Sequence, residues 1–194
     1  KVTFQWSIHT ITSPAATPIH REYLNDELSF PNFTFARTLM ETIGDQGTPL
    51  MWSAFENTTL CQILDQMDVL EYHDDELREW LMLMTKSNGR PGRFVDMNDL
   101  CLKYYFHPQM KGKTSIKKVL PAIWNNNPWL HEDPWFKDYH PGTSGSLNPY
   151  DRLSDLVSGL EGKEVVSDGT GAMMAYHDMM YGPSSLVEEK RNKI

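Results

Sequence analysis

At 194 residues the chain is long enough for one domain with a real core and short for two. Hydrophobic residues make up 40% and charged residues 23%, a globular composition that excludes wholesale disorder. The formal net charge of −8 argues against non-specific nucleic-acid binding over the whole surface, and no apolar run approaches the roughly 18 residues that span a bilayer.

No basic start followed by an apolar stretch marks a secretory signal, so a cytoplasmic protein is expected, with Cys61 and Cys101 as reduced thiols. The chain begins at Lys1 with strand-like sequence at once, which reads as an internal segment of a longer protein. Val2, Phe4, Trp6 and Ile8 alternate with polar residues, the period of a half-buried strand. Pro14 and Pro18 predict a loop after it. From Asn32, a candidate cap, Phe33, Ala36, Leu39, Met40 and Ile43 share one helical face, and Gly44 can end the helix. Leu50-Met51-Trp52 is a short buried strand, followed from about Phe55-Glu56 by a helix carrying Leu60, Ile63, Leu64 and Met67. Asp74 caps a third helix with Leu77, Trp80, Leu81 and Met84 inward.

The turn cluster Ser87 to Gly92 leads into a strand at Phe94-Val95-Asp96-Met97 and a short helix from Asp99 to Phe106. Ser115 is placed to cap a helix bearing Ile116, Val119 and Leu120. The stretch from Trp124 to Pro149, rich in Pro, Asn, Gly and Trp, has no period and reads as a long irregular loop. Gly162 to Ser167 reads as a strand, and Asp168-Gly169-Thr170 opens a helix through Ala172, Met173, Tyr176 and Met180. Residues 184–194 form a polar tail behind a single expected domain over 1–183. Strands alternating with helices predict an α/β domain built on a sheet.

No phosphate-cradling glycine loop, nucleophile elbow or His-x-x-x-His pair is present. Carboxylates at strand-to-helix junctions carry more promise: Glu56, Asp96 and Asp168 each stand where a strand gives way to a helix. In a sheet fold such positions converge on one crevice, and converging carboxylates suit hard ions such as Mg²⁺ or Mn²⁺, which can clamp the attacking and leaving oxygens of a phosphodiester. The plain alternative is that acids near helix starts only complement the helix dipole. From Leu100 to His131 no Asp or Glu occurs, whereas Lys103, Lys111, Lys113, Lys117 and Lys118 do. This basic island ends at the expected helix start of Ser115, where Lys117 and Lys118 could contact phosphate and Tyr104, Tyr105 and Phe106 could stack bases. A solvated lysine face beside core aromatics is the competing reading.

Several segments resemble an uncharacterised bacterial domain family found behind RecB-like, CRISPR-associated-type nuclease modules: Phe4 to His9, Ala54-Phe55-Glu56-Asn57-Thr58, Arg93 to Asp96, Tyr105 to Pro108, Lys113 to Ala122, and Asp168 to Met173. That family resembles a divergent branch of the DEDD exonuclease superfamily. The resemblance implies a ribonuclease H-like mixed sheet flanked by helices, two divalent metals, and hydrolysis of nucleic acid from a 3′ end. It also implies a first strand bearing Asp-x-Glu ahead of the present sequence, without which the isolated segment is expected to be inactive. Glu56 falls at the second motif, where the superfamily usually has Asp. Asp168 and Asp178 fall in the region of the third but reproduce neither of its forms. A non-catalytic module that keeps the fold and assists a neighbouring nuclease domain, through the aromatic stretch from Trp124 to Tyr150, is the rival expectation.

Overall fold

A computed structural model of the chain describes residues 1–14, 16–136 and 169–182. The chain divides into two units, Lys1–Tyr105 and Phe106–Ile194, and it is a mixed α/β protein with two small sheets among the described residues.

The first unit opens on a hairpin. β1 (Gln5–Thr10) pairs antiparallel with β2 (Ile19–Leu24), in register from Gln5 opposite Leu24 to Thr10 opposite Ile19. The second strand lies where the sequence reading has only a loop after Pro18. Its residues are mostly exposed, so the apolar alternation that betrays β1 is missing from β2. Trp6, Ile8 and Tyr23 turn inward against the helices. Then come α1 (Asn32–Ile43), β3 (Leu50–Met51), α2 (Phe55–Val69), α3 (Asp75–Met84), β4 (Val95–Asp96) and α4 (Met97–Tyr104). β3 and β4 are parallel, Leu50 opposite Val95 and Met51 opposite Asp96, with α2 and α3 forming the crossover that a parallel pair requires.

The core of this unit is where the helical periods place it: Phe35, Ala36, Leu39 and Met40 from α1, Leu60, Ile63 and Met67 from α2, and Leu77, Trp80, Leu81 and Met84 from α3. Asn32 is not the cap of α1 but its first residue, after Pro31. Fully buried, its side-chain oxygen accepts from the Thr3 backbone N–H (2.8 Å), and its amide donates to the Lys1 carbonyl (2.8 Å) and to Gln66 Oε1 (2.6 Å). One buried amide thereby fixes the entry to β1 against α1 and α2, leaving none of its own polar atoms unpaired.

In the second unit a short 3₁₀ turn, Pro108–Met110, precedes α5 (Ile116–Asn126). A further 3₁₀ turn, Pro128–His131, follows, and α6 spans Gly169–Tyr181. Met110, Val119, Ala122 and Trp124 are buried here. Trp124 therefore belongs to a helix and to a core, not to the irregular loop expected from that point on. Pro121 sits inside α5, and that interior proline is what makes the helix look shorter in sequence than it is. The strand expected over Gly162 to Ser167 lies outside the described residues. So do Asp168 and the polar tail.

Candidate functional site

The two parallel strands bring their carboxyl ends side by side, and each feeds a helix at once. β3 runs through Trp52, Ser53 and Ala54 into α2, so that Glu56 stands in the first helical turn. β4 ends on Asp96, which is also the cap of α4. Glu56 and Asp96 thus stand beyond the carboxyl ends of adjacent parallel strands, the side on which ligands usually bind in such sheets.

Asp96 is held by backbone donors. Its Oδ1 accepts from the N–H of Ser53 (2.9 Å) and from the N–H of Asn98 (2.9 Å). The first bond crosses from the β3–α2 turn to the end of β4 and ties the two junctions together. Ser53 makes it from a left-handed conformation, φ 71°, a region costly to a residue with a Cβ. The second bond is the capping bond of α4. The expected helix start at Asp99 is corrected to Met97, because Asp96 initiates the helix through its own side chain.

Glu56 is exposed as a residue, yet desolvation of its carboxyl end pushes its pKa upward. Its own backbone N–H opposes that shift, and the nearby charge of Asp96 adds to it. A carboxyl group whose ionisation is made costlier by a neighbouring carboxylate stands in an oxygen-rich, negatively charged setting, which suits a hard divalent cation. Among the described residues no group of three His, Cys, Asp or Glu side chains stands arranged to hold a metal. The structure therefore brings together two of the three acids singled out from sequence, and Asp168 lies outside the described residues. Sequence reasoning missed Ser53 and Asn98. Only their backbone N–H groups contact Asp96, and a backbone donor leaves no signature in residue type.

Around the junction, Asn57 anchors α2 to the segment after α3, donating to the Lys86 carbonyl (3.1 Å) while accepting from the Lys86 N–H (2.7 Å). Arg93 reaches the carbonyls of Gly44 (3.0 Å), Gln46 (3.3 Å) and Gly47 (3.2 Å) and braces the loop that leads into β3. Cys61 and Cys101 are free thiols, and burial pushes Cys101 up, away from reactivity.

In the second unit Ser115 stands at the start of α5, but its side chain makes no capping bond. No acidic residue occupies the first turn of that helix, where Lys117 and Lys118 lie exposed with Ser115. Lys111 and Lys113 are exposed just upstream. Lysines at the positive end of a helix dipole add to its attraction for an anion. Phe106 in this unit and Tyr104 in the first are each more than three-quarters exposed, so each presents an aromatic face to solvent. No helix among the described residues is long and apolar enough to cross a membrane.

No curated protein and no solved structure matches the chain. A family model does match, over residues 1–115. That stretch holds the hairpin, the three core helices and both carboxylates of the junction, and it makes the chain a member of the family described as domain of unknown function DUF2779.

Proposed function

We propose that this chain is part of a metal-dependent nuclease of the 3′–5′ exonuclease type, built on a ribonuclease H-like fold and acting on nucleic-acid phosphodiesters in the cytoplasm. The observation that carries the reading is the pairing of Glu56 and Asp96 at the carboxyl ends of β3 and β4, with the Asp96 charge helping to raise the Glu56 pKa. Mg²⁺ or Mn²⁺ held there would supply positive charge to a phosphate oxygen and an acidified water. Glu56 and Asp96 are the residues that would hold it. Asp168 is the further acid this reading calls on, and Ser115, Lys117 and Lys118 would bind the phosphate backbone.

The order of elements supports the fold reading. An antiparallel hairpin, a helix, a strand, two helices and a strand parallel to the last is the order left when the first strand of a ribonuclease H-like sheet is set aside. That strand would lie between β1 and β3 and join the two small sheets into one. The reading therefore requires an Asp-x-Glu strand ahead of Lys1.

One observation favours a second reading, a non-catalytic module beside a neighbouring nuclease domain. Asp96 already spends one carboxylate oxygen on two backbone donors, as a purely structural cap does. The decisive experiment is Mg²⁺- or Mn²⁺-dependent degradation of end-labelled single-stranded DNA and RNA by a protein containing this whole sequence and the segment ahead of it. The nuclease reading expects degradation that vanishes in Glu56→Gln and in Asp96→Asn while both variants stay folded. Full activity in both variants would sink it, and no activity in the folded, metal-supplied protein would favour the module instead.

A further inference from the structure

The outward face of the β1–β2 hairpin gathers imidazole, hydroxyl and carboxylate side chains, far in chemistry from the carboxylate pair. Trp6 and Ile8 turn into the core, so their alternates Ser7 and His9 face solvent. Opposite them in the ladder stand Glu22 and His20, and all four residues are exposed. The His9 and His20 rings lie flat on one another, centroids 4.6 Å apart and planes within 18°. Around Nε2 of His20 gather Ser7 Oγ at 2.9 Å and Glu22 Oε2 at 3.7 Å.

We propose that His9 and His20 bind a zinc-class transition-metal ion across the hairpin, with the Glu22 carboxylate as its charged flank. Directly opposed residues of an antiparallel ladder hold their Cβ atoms about 4.5–5.5 Å apart, a span that two imidazoles bridge through one ion at Zn–N distances of about 2.0–2.1 Å. Stacked as they stand, the two rings do not point their in-plane lone pairs at one ion. The ring torsion of histidine is broad, and metal binding would require each ring to turn about it until one nitrogen of each faces the ion. Imidazole nitrogen selects Zn²⁺, Ni²⁺ or Cu²⁺ over the hard ions that suit carboxylates alone. Glu22 is diagonal to His9 in the ladder, within reach of a long side chain, and its negative charge offsets the ion's. Because no group of three His, Cys, Asp or Glu side chains among the described residues stands arranged to hold a metal, water would complete the coordination. Bound ion would clip β1 to β2, a hairpin whose second strand contributes little to the core.

The test is calorimetric titration of the chelator-treated full chain with ZnCl₂ at neutral pH. One Zn²⁺ per chain is expected in the unaltered protein, lost in His9→Gln and in His20→Gln, and weakened about tenfold in Glu22→Gln, as removal of a supporting carboxylate typically does. The imidazole resonances of His9 and His20 should shift together at substoichiometric Zn²⁺. All three side chains are exposed, so the variants should keep the metal-free melting temperature of the parent. Absence of Zn²⁺ binding, or binding that persists unchanged in both histidine variants, overturns the proposal, whatever the outcome at Glu56 and Asp96.

Discussion

A Cβ built on Gly92 would stand 2.4 Å from the carbonyl oxygen of Met84 and 2.6 Å from the amide nitrogen of Lys86. Both neighbours are backbone, so nothing flexible can yield. Gly92→Ala should lower stability by about 1–3 kcal/mol in urea unfolding, the usual cost of overpacking, and an unchanged midpoint would contradict the close approach. Ser53 presents the opposite case. Its left-handed backbone carries a Cβ penalty of about 1–2 kcal/mol, which glycine would remove. Ser53→Gly should therefore raise the unfolding midpoint while leaving the N–H that reaches Asp96. Glu56 can be followed through its own titration. Burial first, and then the Asp96 charge, hold its folded pKa above the ordinary carboxylate value. Asp96→Asn should bring it down, as seen by carboxyl-carbon NMR. The linkage follows in sign: with the folded pKa raised, the folded state binds the proton better, so Glu56 contributes stability below its unfolded pKa. That contribution is lost as pH rises through the folded pKa. Glu56→Gln should accordingly gain stability relative to the parent on going from pH 4 to pH 7.

At the scale of elements, α3 shows how a helix start is secured. Asp74 caps it by accepting from the Leu77 N–H (3.1 Å), and both of its carboxylate oxygens also take the Arg37 guanidinium from α1. Burial works to raise the Asp74 pKa, but the Arg37 hydrogen bond, the Leu77 N–H and the Arg37 charge outweigh it and hold it low. Asp74→Asn keeps a capping oxygen and discards the charge, so it isolates the ion pair. It should cost about 1–2 kcal/mol near neutral pH, in the range of a partly screened bond between charged groups. A depressed folded pKa contributes stability above the unfolded value and loses it as pH falls through the folded one. The difference between parent and variant should therefore shrink in acid below the ordinary carboxylate range. A difference that stayed constant with pH would remove the charge from the account. This element was legible in the sequence, as were α1, α2 and β1, because each sets apolar residues against polar ones at a fixed period. β2 was not, since Ile19 to Leu24 is mostly exposed and its pairing comes from the partner strand. Trp124 was misplaced for the converse reason: Pro121 and the asparagines beyond it disguise a helix whose tryptophan is buried. The membership of an uncharacterised domain family was also legible, whereas its link to nucleases rests on the proposal. Of the site, Glu56 and Asp96 could be found as acids at strand-to-helix junctions. Their meeting depended on the parallel pairing of two strands 45 positions apart, with Met51 opposite Asp96.

Across the whole molecule the charge is uneven in a way that makes the nucleic-acid reading quantitative. The chain carries a net −8, yet 100–131 contains five lysines and no acid. An acidic protein repels a polyanion except where cations gather, so binding should be confined to that stretch and should fade quickly with salt. Each lysine that neutralises a phosphate of a single strand contributes a slope of about 0.7 to the fall of log affinity with log salt. Lys117 and Lys118 head α5 with no acid in its first turn, which leaves both available to phosphate. Lys117→Ala/Lys118→Ala should then weaken binding of single-stranded oligonucleotides about equally for all base sequences and flatten the salt slope by about 1.4, measured by fluorescence anisotropy between low and physiological salt. Lys1, also exposed but placed over the Phe55 ring in the first unit, serves as the control, and Lys1→Ala should leave that slope alone. If the double variant keeps the parent slope, the lysines of α5 are a solvated face and nucleic acid, where it binds, is held elsewhere.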